Sequence, residues 1–170
     1  MRILIIIIFC QMFLTSFSQE KKNAITIFGN SGFVIGGQGY HPGIGGGLQF
    51  GYEKVNGTII IETSFIYFAT KDDVFNNRFD KSWIVVRPGY NFPFGNNFYG
   101  QLNGGGILET GTSGIEGYGA VLGAGLGYKP KVGKGHLDIF TKFNLLIGAL
   151  SASHYIAVGI GYAIPFSASK

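Results

Sequence analysis

HYIAVGIGYAIPF, His154 to Phe166, is the stretch whose reading decides the fold. At the two-residue period of a strand, Ile156, Val158, Ile160, Tyr162, Ile164 and Phe166 share one face, and Tyr155, Ala157, Gly159, Gly161 and Ala163 share the other. The first face is large and apolar throughout; the second is small. Only residues 167–170 follow, so no later element is expected to cover the apolar side. Such a strand fits a closed sheet that meets hydrocarbon, because closure alone leaves no edge of unpaired N–H and C=O groups in lipid.

Working outward, the same alternation recurs. Eight β-patterned segments fall at about residues 23–34, 44–54, 57–69, 82–92, 97–108, 118–128, 136–148 and 154–166. In the sixth, Tyr118, Ala120, Leu122, Ala124, Leu126 and Tyr128 alternate with Gly119, Val121, Gly123, Gly125 and Gly127. In the fourth, Ile84, Val86, Pro88, Tyr90 and Phe92 alternate with Trp83, Val85, Arg87, Gly89 and Asn91. In the seventh, Leu137, Ile139, Thr141, Phe143, Leu145 and Ile147 alternate with His136, Asp138, Phe140, Lys142 and Asn144. Polar residues keep to one parity, and no segment shows a helical period. A secreted soluble barrel of lipocalin type would turn that parity outward to water, and its glycine-rich character in the sixth and eighth segments fits a solvent surface poorly.

The breaks between segments come in two kinds. Lys54-Val55-Asn56-Gly57, Pro93-Phe94-Gly95-Asn96 and the stretch from Pro130 to Gly135 are compact turn signals. Ile35 to Gly43, Lys71 to Lys81 and Glu109 to Gly117 are longer and more polar, as expected of outward-facing loops; the last break, Leu150 to Ser153, is short. Eight strands then put both ends on the periplasmic side. Aromatic rings mark the rims: Tyr52, Tyr90, Phe92, Phe98, Tyr128, Tyr162 and Phe166 at the short-turn end, Phe65, Tyr67 and Tyr118 at the other.

Residues 1–18 read as a cleaved signal peptide, with Arg2, an apolar run and Ser16-Phe17-Ser18 as the cleavage site, which leaves 19–170 as one barrel domain. The only cysteine, Cys10, lies in this leader, so the mature chain is expected to hold no disulfide or thiolate site. Of 13 Lys and Arg, Arg2 belongs to the leader; the remaining 12 against 9 Asp and Glu are too nearly balanced to point to nucleic acid. Twenty-nine glycines with 15 % aromatic and 13 % charged residues fit neither a disordered chain nor a helical domain.

An eight-stranded barrel has an interior just wide enough for its own side chains. The inward polar set is Glu53, Glu62, Arg87, Gln101, Asn103, Asp138, Lys142 and Asn144, with Glu62 and Arg87 expected to pair across adjacent strands. These residues read as a structural plug, the alternative being a narrow polar conduit or small-ligand site. Other chemistry is thinly signalled. Gly123-x-Gly125-x-Gly127 and Gly43 to Gly47 lie inside strands, not at the strand-to-helix turn that a phosphate loop needs. Asp72, Asp73, Asn76, Asn77 and Asp80 offer oxygen ligands without the spacing of an EF-hand, and read as a solvated loop. His41, His136 and His154 form no spaced metal cluster, and no motif joins His41 or His154 to Ser82, Ser113 or Ser153 as a hydrolase or acyltransferase site. No catalytic, cofactor-binding or metal residues are therefore assigned.

The run SWIVVRPGYNFPFGNNFYGQLNGGGIL, Ser82 to Leu108, together with the closing GIGYAIPF and the leader's FSQ, resembles the small outer-membrane β-barrel domain proteins common in Bacteroidota. The resemblance spans essentially the whole mature chain in loose strand-and-turn patterns. It implies an outer-membrane barrel of the size of OmpX or the OmpA transmembrane domain, inserted by the barrel-assembly machinery through an aromatic-ended last strand. Pro165 and the residues Ser167 to Lys170 depart from that ending, and no peptidoglycan-binding domain is carried over. The expectation is an all-β, eight-stranded antiparallel up-and-down transmembrane barrel: a monomer among outer-membrane lipids, without cofactor, with a structural or surface-interaction role. The alternatives are a lipid-A-modifying enzyme and a narrow porin-like channel.

Overall fold

The computed structural model describes residues 23–35, 40–69, 80–111, 114–149 and 154–166. The strands are β1 (Asn23–Val34), β2 (Gly43–Lys54), β3 (Gly57–Phe68), β4 (Lys81–Phe94), β5 (Phe98–Gly111), β6 (Gly114–Tyr128), β7 (Lys131–Val132), β8 (Gly135–Ala149) and β9 (His154–Phe166). β7 is a two-residue ladder paired with the start of β8, so eight long strands make the wall. Each long strand pairs antiparallel with its sequence neighbour, β6 with β8 across the β7 turn, and β9 returns to β1 along Asn23↔Phe166 through Val34↔Tyr155. The sheet is closed.

The register fixes its shape. Stepping from partner to partner, Asn23 leads to Tyr52, Ile59, Tyr90, Leu102, Ala124, Phe143 and Ile156, and then back to β1 at Phe33, ten residues beyond the start. A stagger of that size over eight strands corresponds to a strand tilt of about 40° and an interior that side chains alone can fill.

The alternation in the sequence sorts side chains between the two faces. Ile27, Leu48, Leu102, Leu122 and Ile160 stand among the many exposed large apolar residues of the exterior, and among the described residues the outward positions between its two rims carry no charged side chain. Such an exterior is stable only against lipid. At the short-turn end the rings gather as expected: Tyr90 lies 4.8 Å from Phe92, Phe98 4.8 Å from Tyr128, and Phe50 5.9 Å from Phe166. Phe65, Tyr67 and Tyr118 stand exposed near the other end.

One expected loop is mostly strand. Glu109 to Gly117 reads in sequence as an outward loop, but β5 continues to Gly111 and β6 begins at Gly114, with a register shift between Glu109 and Thr110. The polar residues that suggest a loop instead hold the hairpin together: Lys81 lies 3.5 Å from Glu109 and also pairs with Glu116 on the opposite arm. Gly114, at φ 104°, sits beside the tip in a conformation that side chains rarely adopt. The expected signal peptide 1–18, the tail Ser167 to Lys170, Asp72, Asp73, Asn76, Asn77, Ser113 and Ser153 lie outside the described residues.

Candidate functional site

Inside the wall the lumen divides into an outward half closed by apolar side chains and an inward half lined by polar ones. A belt of charge separates them.

The belt is built on Glu62. Its Oε1 accepts from Arg87 Nη2 at 2.7 Å and its Oε2 from Lys142 Nζ at 2.6 Å, so one carboxylate holds two cations. Arg87 Nη1 donates to Asn144 Oδ1, and Asn144 Nδ2 donates to the Lys142 carbonyl at 3.3 Å. The exposures of Glu62, Arg87 and Lys142 are 0, 1 and 2 %, which makes this a buried ion triad. Lys142 Nζ also lies 4.2 Å from the centre of the Phe140 ring and 5.3 Å from that of Phe28. Removing Glu62 would leave both buried cations without their shared counter-charge, whereas removing either cation leaves a paired one.

Inward glycines make room for this belt. A Cβ at Gly125 would come within 2.9 Å of Lys142 Cγ, one at Gly105 within 2.9 Å of Arg87 Cβ, and one at Gly47 within 2.8 Å of Phe28 Cζ. The small face quoted at the outset, Gly159 and Gly161, likewise stands against Phe140 and Phe28. The glycine parity is thus the complement of large side chains on neighbouring strands.

Outward of the belt, Ile66, Phe68, Trp83, Val85, Ile107, Val121, Leu146, Tyr155 and Ala157 form one buried apolar cluster. Phe68 and Trp83 rings lie 4.5 Å apart, Trp83 and Tyr155 5.1 Å apart, and Tyr40 packs on Phe68 from above at 6.1 Å. Trp83 Nε1 donates to Glu109 Oε2 at 2.9 Å, joining the apolar plug to the ion pairs at the outer rim. Sequence reasoning places Trp83, Val85, Val121 and Tyr155 on the inward parity but does not reveal that they meet. The legible signal is that large apolar residues replace glycine on that parity toward the outward ends of the strands.

Inward of the belt, Asp138 accepts from Tyr99 Oη at 2.7 Å and pairs with Lys129 at 3.3 Å, and Gln101 Nε2 donates to Gln49 Oε1 at 3.3 Å. Both amide atoms of Asn103, Gln101 Oε1 and Asn91 Oδ1 are buried with no partner within the protein. A cavity of about 440 Å³ opens at this end, with Thr26, Gln49, Asn91, Tyr99 and Lys129 among its walls. Of the expected inward set, Glu62, Arg87, Gln101, Asn103, Asp138, Lys142 and Asn144 are buried in the lumen. Glu53 lines the mouth of the cavity and is exposed.

The histidines are dispersed. His41 sits at the outer end, its backbone N–H bonded to the Ala69 carbonyl at 2.9 Å, and His154 rests 6.0 Å from the Phe143 ring. His136 pairs with Lys131 at the short-turn end. The Ser82 carbonyl accepts from the Thr110 hydroxyl at 3.4 Å, and Asp80 accepts from Tyr67 Oη. Among the described residues no group of three metal-ligating side chains converges. The glycines of β2 and β6 lie within strands and cradle nothing at a helix end.

Solved structures share this architecture. Ail, the attachment invasion locus protein of Yersinia pestis, in its complex with the heparin analogue sucrose octasulfate, matches with a TM-score of 0.58 at 18 % identity, over 87 % of this chain and 100 % of that one. Neisserial surface protein A matches with a TM-score of 0.55 at 12 % identity, over 87 % of this chain and 98 % of that one. No protein-family model matches the sequence, and no curated protein matches it. Fold and lipid-facing exterior together define the class: a small eight-stranded β-barrel of the Gram-negative outer membrane.

Proposed function

We propose that this chain is a non-catalytic outer-membrane barrel of the small Bacteroidota type that acts through its outer surface and conducts no solute. One observation carries the reading: the outward half of the lumen is filled by the cluster from Ile66 to Ala157, with Trp83 and Phe68 fully buried at its centre. A tube closed by its own side chains does not act by passing solute, and its outer end is the surface it turns to partners outside the cell. The solved neighbours support this in kind, since one is Neisserial surface protein A and the other the attachment invasion locus protein Ail. The outer partner is to be sought at the segments from Ile35 to Gly43 and Lys71 to Lys81 and at the β5–β6 hairpin tip. The chain inserts as a monomer through the barrel-assembly machinery, with β9 as the closing strand. Purified protein reconstituted in planar bilayers is expected to show no discrete conductance, and replacement of the two outer segments by short Gly-Ser turns should remove surface binding while the barrel still folds. Steady single-channel steps from the wild-type protein would overturn the reading.

A further inference from the structure

We propose that the cavity at the short-turn end is a binding site for a neutral polyhydroxylated solute of mono- to disaccharide size, entering from the periplasm. The inference rests on the closed-lumen reading above. The cavity, at about 440 Å³, lies within the roughly 300–1,000 Å³ range of small-molecule sites. Neutral hydrogen-bonding side chains, Thr26, Gln49, Thr58 and Asn91 among them, share its walls with small and apolar residues. Thr26 and Gln49 are register partners on β1 and β2, and Thr58 and Asn91 are partners on β3 and β4. Asn91 is only 5 % exposed, yet its Oδ1 has no partner within the protein. Turned toward the cavity that its residue lines, this acceptor would take a donor from solution, either water or a solute hydroxyl or amide.

Charge does not select an ion. The ionic groups at the cavity carry both signs: Glu53 and Lys54 line the same mouth, and Lys129 is already paired with Asp138. Tyr99 adds an aromatic wall beneath Lys129, whose Nζ is 5.2 Å from the ring centre. Amides, hydroxyls and the Tyr99 ring, with charges of both signs only at the mouth, match a saccharide's alternation of hydroxyl edges and C–H faces. The buried triad Glu62, Arg87 and Lys142 lies beyond, so the solute leaves by the way it came.

The test is NMR of Asn/Gln side-chain-labelled protein in nanodiscs, titrated with cellobiose and, separately, with N,N′-diacetylchitobiose. The Asn91 and Gln49 amide signals are expected to shift. A response to both sugars identifies the hydroxylated ring skeleton as what is recognised; a response to diacetylchitobiose alone identifies an acetamido sugar of cell-wall type. Asn91→Leu should weaken binding about tenfold, the effect of one buried hydrogen bond. Ala24→Trp, which fills the cavity without removing a polar group, should abolish it, each variant first being shown to fold by its heat-shifted gel mobility. No shift with either sugar, or shifts unchanged in Ala24→Trp, would overturn the site. Bilayer conductance would instead overturn the closed lumen on which it rests, so the two failures are distinguishable.

Discussion

The two halves of the lumen are built from the same strands and the same parity, yet they solve opposite problems. Toward the outside, Phe68, Trp83, Val85, Ile107, Val121 and Leu146 exclude water as a protein core does. Toward the periplasm, Gln49, Asn91 and Tyr99 line space that is left open, and the buried Asn91 Oδ1 has no partner within the protein. The difference shows that closure and access belong to different levels of one barrel: the outer level seals, the inner level receives, and the triad at Glu62 is the floor between them.

The largest effect is expected at that floor. Glu62→Ala leaves Arg87 and Lys142 buried without a counter-charge and should lower unfolding stability by about 3–5 kcal/mol, measured by urea titration of gel mobility. Replacing all three ionic groups together, as Glu62→Leu, Arg87→Met and Lys142→Met, should restore most of that loss, because the triad is costly to break but not to substitute whole. A smaller loss, about 3 kcal/mol, is expected for Phe68→Ala in the outer half, the low end of the range for buried aromatic truncation. Gly159→Ala tests the complementarity of small and large faces. Its Cβ would fall 2.7 Å from the Gly29 carbonyl oxygen and press into the edge of the Phe140 ring, for a cost of about 1–3 kcal/mol. The smallest effect is expected at Asn103→Leu: with neither amide atom partnered within the protein, the change should stay within about 1 kcal/mol and sharpen the contrast with Glu62.

Much of this is legible in the sequence. Strict alternation gives the strands, and the shared polar parity gives the inside and the outside, because lipid tolerates no other sorting. Even the Glu62–Arg87 pair follows from facing positions on adjacent strands. Lys142 as a second partner of Glu62 does not, since it comes from β8, 80 residues away in sequence, and only the ten-residue stagger of the closed barrel brings it alongside. The outer plug was hidden for the same reason: Ile66, Trp83, Ile107, Leu146 and Tyr155 come from separate strands whose relative heights depend on the register. Glu109 and Glu116 misled because their polarity suits a loop, while their ion pairs with Lys81 need the strands to continue.

The division of the lumen is tested most directly by cysteine accessibility, since the sequence carries cysteine only at position 10, in the expected leader. Thr58→Cys on the cavity wall and Ile107→Cys in the plug would each be exposed to a membrane-impermeant maleimide, first in intact cells and then with the periplasm opened. Thr58→Cys should react only once the periplasm is open, and Ile107→Cys should stay unreactive from both sides while the barrel is folded. Labelling of Ile107→Cys in intact cells would contradict the sealed outer half.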